Sequence, residues 1–388
     1  MHSDALLDPA IRPEGTSLKA HSEPTSIFLT GATGFLGAFL LHELLQQTQA
    51  DMYCLVRSPS DAEGKMRLQR NLEAYSLWNA GLNPRIIPVV GDLSKPNLGL
   101  SEGTFRRLAS QVDVVYHNGA LVNLMLPYEA LKAPNVLGTR EVLRLACRIK
   151  LKPMHYISTV AVFLNGGSSH RAVIREGDSI DDTGVPSSGY AQSKWVAEKL
   201  VSTAASRGIP VCIYRPGLLS GHSKTGAWDS DDLVFRIAAT CLRIRKMPDF
   251  DAIINLAPVD YVSRAIVHLS RQGESAGKTF HLVNPYPTHY DRLAEWIGSS
   301  VYPLERMSYE KWRAEVFYLA RLFSGNALDA LLLLVSDEWL PEGSLRLPEF
   351  DCRNTLDGLA GTSIICPPLV SELLDTYFPY FLSRLRLQ

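Results

Sequence analysis

The chain has 388 residues, of which 46% are hydrophobic and 20% charged, and its formal net charge is −1. That length supports a large core and two domains, and a charge so near zero argues against a nucleic-acid partner. Six cysteines, at positions 54, 147, 212, 241, 352 and 366, form no CxxC pair, which argues for reduced thiols in a cytoplasmic protein and against a zinc site or disulfide framework. Residues 1–25 are polar, proline-bearing and without apolar periodicity, so they read as a linker or tail. Asp4, Asp8 and Glu14 do not fit a signal peptide. The apolar run Ala330 to Val335 is too short to cross a bilayer, so no membrane partner is expected.

Apolar runs over Ile27–Thr30, Met52–Val56, Ile86–Val90, Val112–His117, Met154–Ser158, Val211–Tyr214 and Phe280–Val283 predict strands. Helical patterns such as Asn135–Lys150 and Tyr190–Ser206 lie between most of them. The alternation predicts an α/β fold, a Rossmann-like doubly wound parallel sheet whose ligands bind at the strand carboxyl ends. After about residue 285 the pattern turns mostly helical, over Tyr290–Ile297, Glu310–Phe323, Ala327–Val335 and Pro368–Leu385. The expected organisation is a tail (1–25), a sheet domain (26–285) with a substrate-facing excursion near 218–250, and a smaller, mostly helical C-terminal substrate or lid domain (286–388).

The first strand runs into Thr30-Gly31-Ala32-Thr33-Gly34-Phe35-Leu36-Gly37, and a helical pattern with Leu40, Leu41, Leu44 and Leu45 follows. Strand, glycine turn and helix are the setting a dinucleotide fingerprint requires. A helix start offers unpaired N–H groups and a positive dipole end, and glycines let a pyrophosphate reach the backbone. Thr30, Gly31, Thr33, Gly34, Phe35, Leu36 and Gly37 are therefore candidate cofactor contacts. The second strand ends at Arg57, where NAD-preferring sites carry an acid. A guanidinium there suits a 2′-phosphate, so NADPH is favoured over NADH and 26–285 reads as an NADP-binding domain. Arg67 is either a second phosphate ligand or a helix-surface charge. Asp92 and Leu93 follow the third strand, and Asn118, Gly119 and Ala120 the fourth. Asp92 can accept from an adenine amino group and the Asn-Gly-Ala turn can lie against a ribose, although each alone reads as an ordinary turn.

The fifth strand ends in Ser158-Thr159, and Gly189-Tyr190-Ala191-Gln192-Ser193-Lys194 opens a later helix. Tyr190 and Lys194, at i and i+4, share one helix face. A YxxxK match alone is common. After a fingerprint and a strand ending Ser-Thr, Thr159, Tyr190 and Lys194 resemble the Ser/Thr–Tyr–Lys catalytic constellation of the short-chain dehydrogenase/reductase superfamily, with Ser158 the alternative hydroxyl. Tyr190 and Thr159 can donate to a developing oxyanion, Tyr190 can act as general acid, and Lys194 favours the phenolate and reaches ribose hydroxyls. The histidines show no metal-ligand spacing such as HExxH.

The wide GxxGxxG spacing and this constellation resemble the extended, two-domain members of the short-chain dehydrogenase/reductase superfamily. Further phrases narrow the resemblance: Cys54–Arg57, Val115–Ala120, Ile213–Gly217, Ser220–Trp228, Pro258–Val262 and Phe280–Asn284. Over roughly residues 26 to 300, and more weakly through Asp351–Thr355, they are similar to terminal thioester reductase domains of nonribosomal peptide and hybrid polyketide synthases. Carboxylic acid reductases are related. His222–Trp228 is the most discriminating phrase, because sugar-nucleotide epimerases do not share it. The resemblance implies NADPH-dependent release of a peptidyl or acyl thioester from the phosphopantetheine arm of an upstream carrier protein. The expected product is an aldehyde or, after a second reduction, a primary alcohol, and the chain is expected to be a monomeric domain of a larger synthase. It also implies that His222–Trp228 and the late helices line a substrate channel, with Trp228 as its wall or as core packing. Leu218-Leu219 departs from relatives that often carry a basic residue there.

Two other readings stay open. One is an extended-family dehydrogenase or epimerase acting on a free small molecule, against which the Thr225–Trp228 phrase and the helical tail argue. The other is a non-catalytic NADP-binding regulatory module, against which the Tyr190–Lys194 pair argues.

Overall fold

The computed structural model describes residues 1–13, 23–165, 173–249, 251–299, 303–322, 344–345 and 348–386. Among them, seven strands form one parallel sheet: β1 Ser26–Thr30, β2 Asp51–Val56, β3 Ile86–Val90, β4 Val114–His117, β5 Met154–Ile157, β6 Val211–Pro216 and β7 Thr279–Leu282. Their order across the sheet is β7-β6-β5-β4-β1-β2-β3. Each expected apolar run is one of these strands. The runs are apolar throughout because helices cover both faces of the sheet. Ile27 and Leu29 of β1 pack with Leu40 and Leu44 of helix Phe35–Gln47 and with Ile266 of helix Val259–Ser270. Phe28 between them packs on the other face with Leu108, Val142 and Leu200. Successive strand side chains point to opposite faces, so one short run feeds two cores.

Short polar residues start several of the covering helices. Ser60, Ser101, Ser188 and Asp232 each accept a backbone N–H from the first turn of helices Asp61–Ala74, Glu102–Gln111, Gly189–Ser206 and Leu233–Ile244. The helix expected from Asn135 begins earlier, at Tyr128, and passes through a π-type turn over Ala133–Leu137 before Gly138–Cys147. Pro134 lies in that turn, where its ring and missing N–H oppose a regular α-helical ladder.

The linker expected over residues 1–25 is corrected for residues 1–13, which dock on the fold. Leu7 and Ile11 are 5% and 3% exposed and join the core that contains Trp195 and Leu200. Arg207, just past helix Gly189–Ser206, donates to the carbonyls of Leu7, Asp8 and Ile11. Asp4 accepts from the Tyr128 hydroxyl and pairs with Lys132 at 2.9 Å. Leu7 and Ile11, the aliphatic residues buried in this irregular segment, set up no period, so nothing in the pattern announces them. Deleting residues 1–13 should lower stability by about 3 kcal/mol or more, at roughly 1.5–3 kcal/mol per buried aliphatic side chain. A thermal melt checks this, and an unchanged midpoint would contradict the docking.

The single boundary expected at residue 285 is also corrected. Residues 233–249 and 251–254 join the C-terminal unit, where Met247, Tyr290, Trp312 and Val316 share a core. Residues 349–366 return to the sheet. Glu349–Phe350 pairs with Val173–Ile174, and Leu359, Ile364 and Cys366 pack into the core of the first face. Helix Ser371–Arg386 packs through Leu373, Tyr377 and Phe381 against Trp228 and Phe235. The expected helix Ala327–Val335 lies outside the described residues. No described helix is long and apolar enough to cross a membrane.

Candidate active site

β1 delivers the chain to the glycine loop. Gly31 has φ +75°, and a Cβ there would lie 2.7 Å from the Gly119 Cα. A Cβ on Gly37 would lie 1.9 Å from the Gly31 carbonyl oxygen. These two glycines let the loop, its helix and the Asn118–Ala120 turn close on one another. Gly34 differs, because a Cβ there would meet only the Gly31 oxygen, at 3.5 Å, and otherwise open space. Helix Phe35–Gln47 starts at Gly34 with no side-chain cap. Free first-turn N–H groups beside an open glycine fit a dinucleotide pyrophosphate. Thr33 is half-buried, Gly34 is exposed, Leu36 is buried, and Phe35 packs on Phe39 and Tyr75. Asn71 braces the loop by donating to the Ala32 and Gly34 carbonyls at 3.0 and 3.1 Å. It lies far along the chain on the next helix, and no motif marks it.

At the end of β2, Arg57 is exposed, and Arg67 donates to its carbonyl at 2.9 Å. Arg67 thus holds the backbone of the candidate phosphate ligand. Burial alone would raise the Asp92 carboxyl, but hydrogen bonds from Ser94 and the Arg57 and Lys95 charges hold it below its ordinary value. Leu93 packs against Gly119 and Gly138, where a Cβ would lie 2.7 Å from its Cδ1 and 2.8 Å from its carbonyl oxygen.

A buried polar chain joins this half of the site to the helix that carries Tyr190. Gly119 N–H donates to Thr30 Oγ1 at 2.9 Å. Thr139 Oγ1 donates to the Asn135 carbonyl at 2.6 Å, so it accepts from His117 Nε2 at 2.9 Å. That assigns the Nε2–H tautomer and leaves Nδ1 to accept from the Thr30 hydroxyl at 2.7 Å. Burial, with the Lys194 charge nearby, pushes His117 down to about 3, so it stays neutral. The Asn135 amide donates to Ser193 Oγ at 2.9 Å, which donates to the Tyr190 carbonyl at 2.7 Å. Thr139, Asn135 and Ser193 were not legible as site residues, because hydroxyls and amides inside helices carry no pattern.

Helix Gly189–Ser206 presents Tyr190 and Lys194 one turn apart. Among the described residues the Tyr190 hydroxyl has no hydrogen-bond partner. Burial pushes its pKa up to about 12, so it is protonated at neutral pH. Lys194 is 4% exposed, and its Nζ donates to the Ile157 carbonyl at 2.7 Å and lies 4.3 Å from the Tyr156 ring centroid. Burial pushes Lys194 down to about 7 against the opposing pull of Glu198. Thr159, two residues past β5, accepts from Ala161 N–H at 3.2 Å, which leaves its own O–H free to donate. Ser158 instead turns into the core and donates to Glu198. Arg215 forks onto the same carboxylate at 2.6 and 3.1 Å. The two hydroxyls that the sequence left open thus differ in partner: Ser158 is engaged by a carboxylate 40 residues away, and Thr159 keeps a donor free.

Trp228 is part of the core and not a channel wall. It is 3% exposed, with ring centroids 5.1 Å from Tyr377 and 5.4 Å from Phe381. Gly226, at φ +71°, lies so close to the C-terminal helix that a Cβ would sit 2.4 Å from the Thr376 carbonyl. Tyr377 donates to the Gly221 carbonyl and Tyr380 to that of Trp228, at 2.9 and 3.0 Å. The Ser220–Trp228 phrase is a clasp for helix Ser371–Arg386.

The family model described as Male sterility protein, an NAD-binding family, matches residues 29–266. A linear gramicidin synthase of Brevibacillus parabrevis is 44% identical over 383 residues, covering 98% of this chain and 8% of that protein. The crystal structure of the terminal R domain from the myxalamid PKS-NRPS biosynthetic pathway superposes with TM-score 0.92 at 47% identity, covering 99% of this chain and 97% of that one. The reductase (R) domain of a nonribosomal peptide synthetase from Mycobacterium tuberculosis gives TM-score 0.78 at 25% identity, covering 98% and 97%. The chain thus spans a small fraction of the curated relative and nearly all of each solved domain.

Proposed function

The chain belongs to the NAD(P)-binding Male sterility protein family, and from that premise we propose that it reduces a carrier-bound acyl or peptidyl thioester with NADPH and releases an aldehyde. The observation that carries this is the meeting of two halves at one sheet edge. The glycine loop and Arg57 fit a dinucleotide phosphate, and Thr159, Tyr190 and Lys194 fit a carbonyl being reduced. The similarity to whole R domains supports the thioester, the upstream carrier protein and its phosphopantetheine arm as partners. We read the chain as one cytoplasmic, monomeric domain of a larger synthase.

The dinucleotide would be held by Thr30, Gly31, Thr33, Gly34, the first turn over Phe35, Leu36 and Gly37, and Arg57. Asp92, Leu93 and the Asn118–Gly119–Ala120 turn would flank it. Its nicotinamide supplies the hydride. The thioester oxygen accepts from the Tyr190 and Thr159 hydroxyls, so charge developing there meets two fixed donors. Tyr190, protonated at neutral pH, gives its proton to that oxygen. The Lys194 ammonium, one turn away, stabilises the phenolate left behind, and its remaining N–H groups serve the ribose. The thiohemiacetal expels its thiol, of pKa about 8.5, far more easily than it would an alkoxide, and the aldehyde follows. A second round before departure gives a primary alcohol.

The test is NADPH oxidation with an acyl thioester on a carrier protein, with the product read by mass spectrometry. Oxidation with a nucleotide sugar and none with the thioester would reject the proposal. Arg57→Ala should weaken NADPH binding by about 1.5–3 kcal/mol, the value of a charged hydrogen bond, and NADH hardly at all. A fluorescence titration checks this, and equal loss for both would remove the 2′-phosphate role. Catalysis also needs Lys194 charged. Since burial brings it to about 7, the ammonium is lost as pH rises through that value. The kcat/KM for NADPH, which reports the free enzyme, should fall about tenfold per unit above it. A flat profile to pH 9 would contradict this.

A further inference from the structure

The carboxyl edge of the sheet is divided by charge. Its β1–β3 half carries Arg57, Arg67, Asp92 and Lys95. Its other half is built from the segments that follow β4, β5, β6 and β7. The first residues of these segments, 118–128, 158–165, 217–223 and 283–290, contain no Asp, Glu, Lys or Arg, and charged residues lie only beyond them, as at Glu129, Arg175, Lys224 and Asp291. In place of charges this half exposes large apolar side chains. Leu121, Val122 and Met125 are 39%, 65% and 52% exposed, Leu218 46% and Tyr286 55%.

The segment after β4 is held in shape beside the catalytic tyrosine. Asn135 brackets Leu121, accepting from its N–H at 2.7 Å and donating to its carbonyl at 3.0 Å. Asn123 Oδ1 accepts from the N–H groups of Met125 and Leu126 at 2.9 and 3.1 Å. Gly189, which precedes Tyr190, abuts the same segment so closely that a Cβ would lie 2.3 Å from the Leu126 carbonyl. Leu218 lies two residues past β6, and β6 is the neighbour of β5, which Thr159 follows by two residues. An apolar surface on the edge that carries Tyr190 favours a chain that brings apolar area and no charge. A charged acyl group would lose its hydration there and find no partner.

Building on the thioester-reductase reading, we propose that this half of the edge is the acyl subsite, with Leu121, Val122, Met125, Leu218 and Tyr286 as its contacts, and that the acyl group is an uncharged aliphatic or aromatic chain. Leucine at 218 then selects against anionic acyl groups that a basic residue there would accept.

The experiment compares octanoyl- and 7-carboxyheptanoyl-pantetheine, chains of matched length that differ by a terminal carboxylate. The wild-type protein should reduce the octanoyl thioester with kcat/KM about a hundredfold higher. Leu218→Arg, at an exposed position where a cation is tolerated, should narrow that ratio about tenfold by pairing the carboxylate. Val122→Asp should lower octanoyl kcat/KM about tenfold. Equal rates for the two thioesters in the wild type, or a ratio that neither variant changes, would overturn the subsite. Reduction of neither thioester would overturn the parent reading along with it.

Discussion

Tyr190→Phe should lower turnover by at least about a hundredfold, and up to about a thousandfold, the usual cost of one oxyanion donor. Loss of the proton it supplies adds to that. The ring stays, so its packing is kept. The hydroxyl has no partner among the described residues, so its removal strands no buried group, and the melting temperature should not move. NADPH binding should persist, because the phosphates are assigned to the glycine loop and Arg57. Thr159→Ala should lower turnover less, since Thr159 has no proton to transfer. Lys194→Ala should harm both turnover and NADPH affinity. Steady-state NADPH oxidation beside a binding titration separates these variants. Turnover above about a tenth of wild type in Tyr190→Phe would end the case for this mechanism.

Trp228→Ala should destabilise the protein by about 3–5 kcal/mol, the range for removing a large buried aromatic. The ring fills a cluster with Phe235, Tyr377 and Phe381, and the loop that carries it holds the C-terminal helix through Tyr377 and Tyr380. The loss should appear as a lower denaturant midpoint. A raised Michaelis constant at unchanged stability would instead restore the channel wall that the sequence alone allowed.

These cases mark how far the sequence reaches. The sheet was legible because strands buried on both faces are apolar at every position, and Ile27–Leu29 or Ile213–Tyr214 could be little else. The glycine loop was legible because few other arrangements need glycines between a strand and a helix. Leu7 and Ile11 were not, because two burials in an irregular segment leave no period. Ser158 and Thr159 are equivalent in sequence and differ only because Glu198, held by Arg215, takes one of them. Asn71 works through backbone carbonyls, a role that any polar residue in a helix could hide. Trp228 beside glycines suggested a binding wall, since two of its aromatic partners, Tyr377 and Phe381, lie some 150 residues later.

The return of residues 349–366 to the sheet bears on how the protein is made. Glu176 accepts from the backbone N–H of His281 at 2.8 Å, from that of Asn354, and from the N–H and hydroxyl of Thr355. Gly358 presses on Leu269 so closely that a Cβ would lie 2.4 Å from its Cδ2. During synthesis the sheet half therefore lacks its partners for Glu176 and Leu269 until residues 354–358 have been made. Incomplete apolar surfaces of this kind invite aggregation. A stop codon or fusion junction near residue 285, where the helical pattern begins, would leave that half permanently unfinished, so exchange of such a domain between synthases must carry the chain through its final helix.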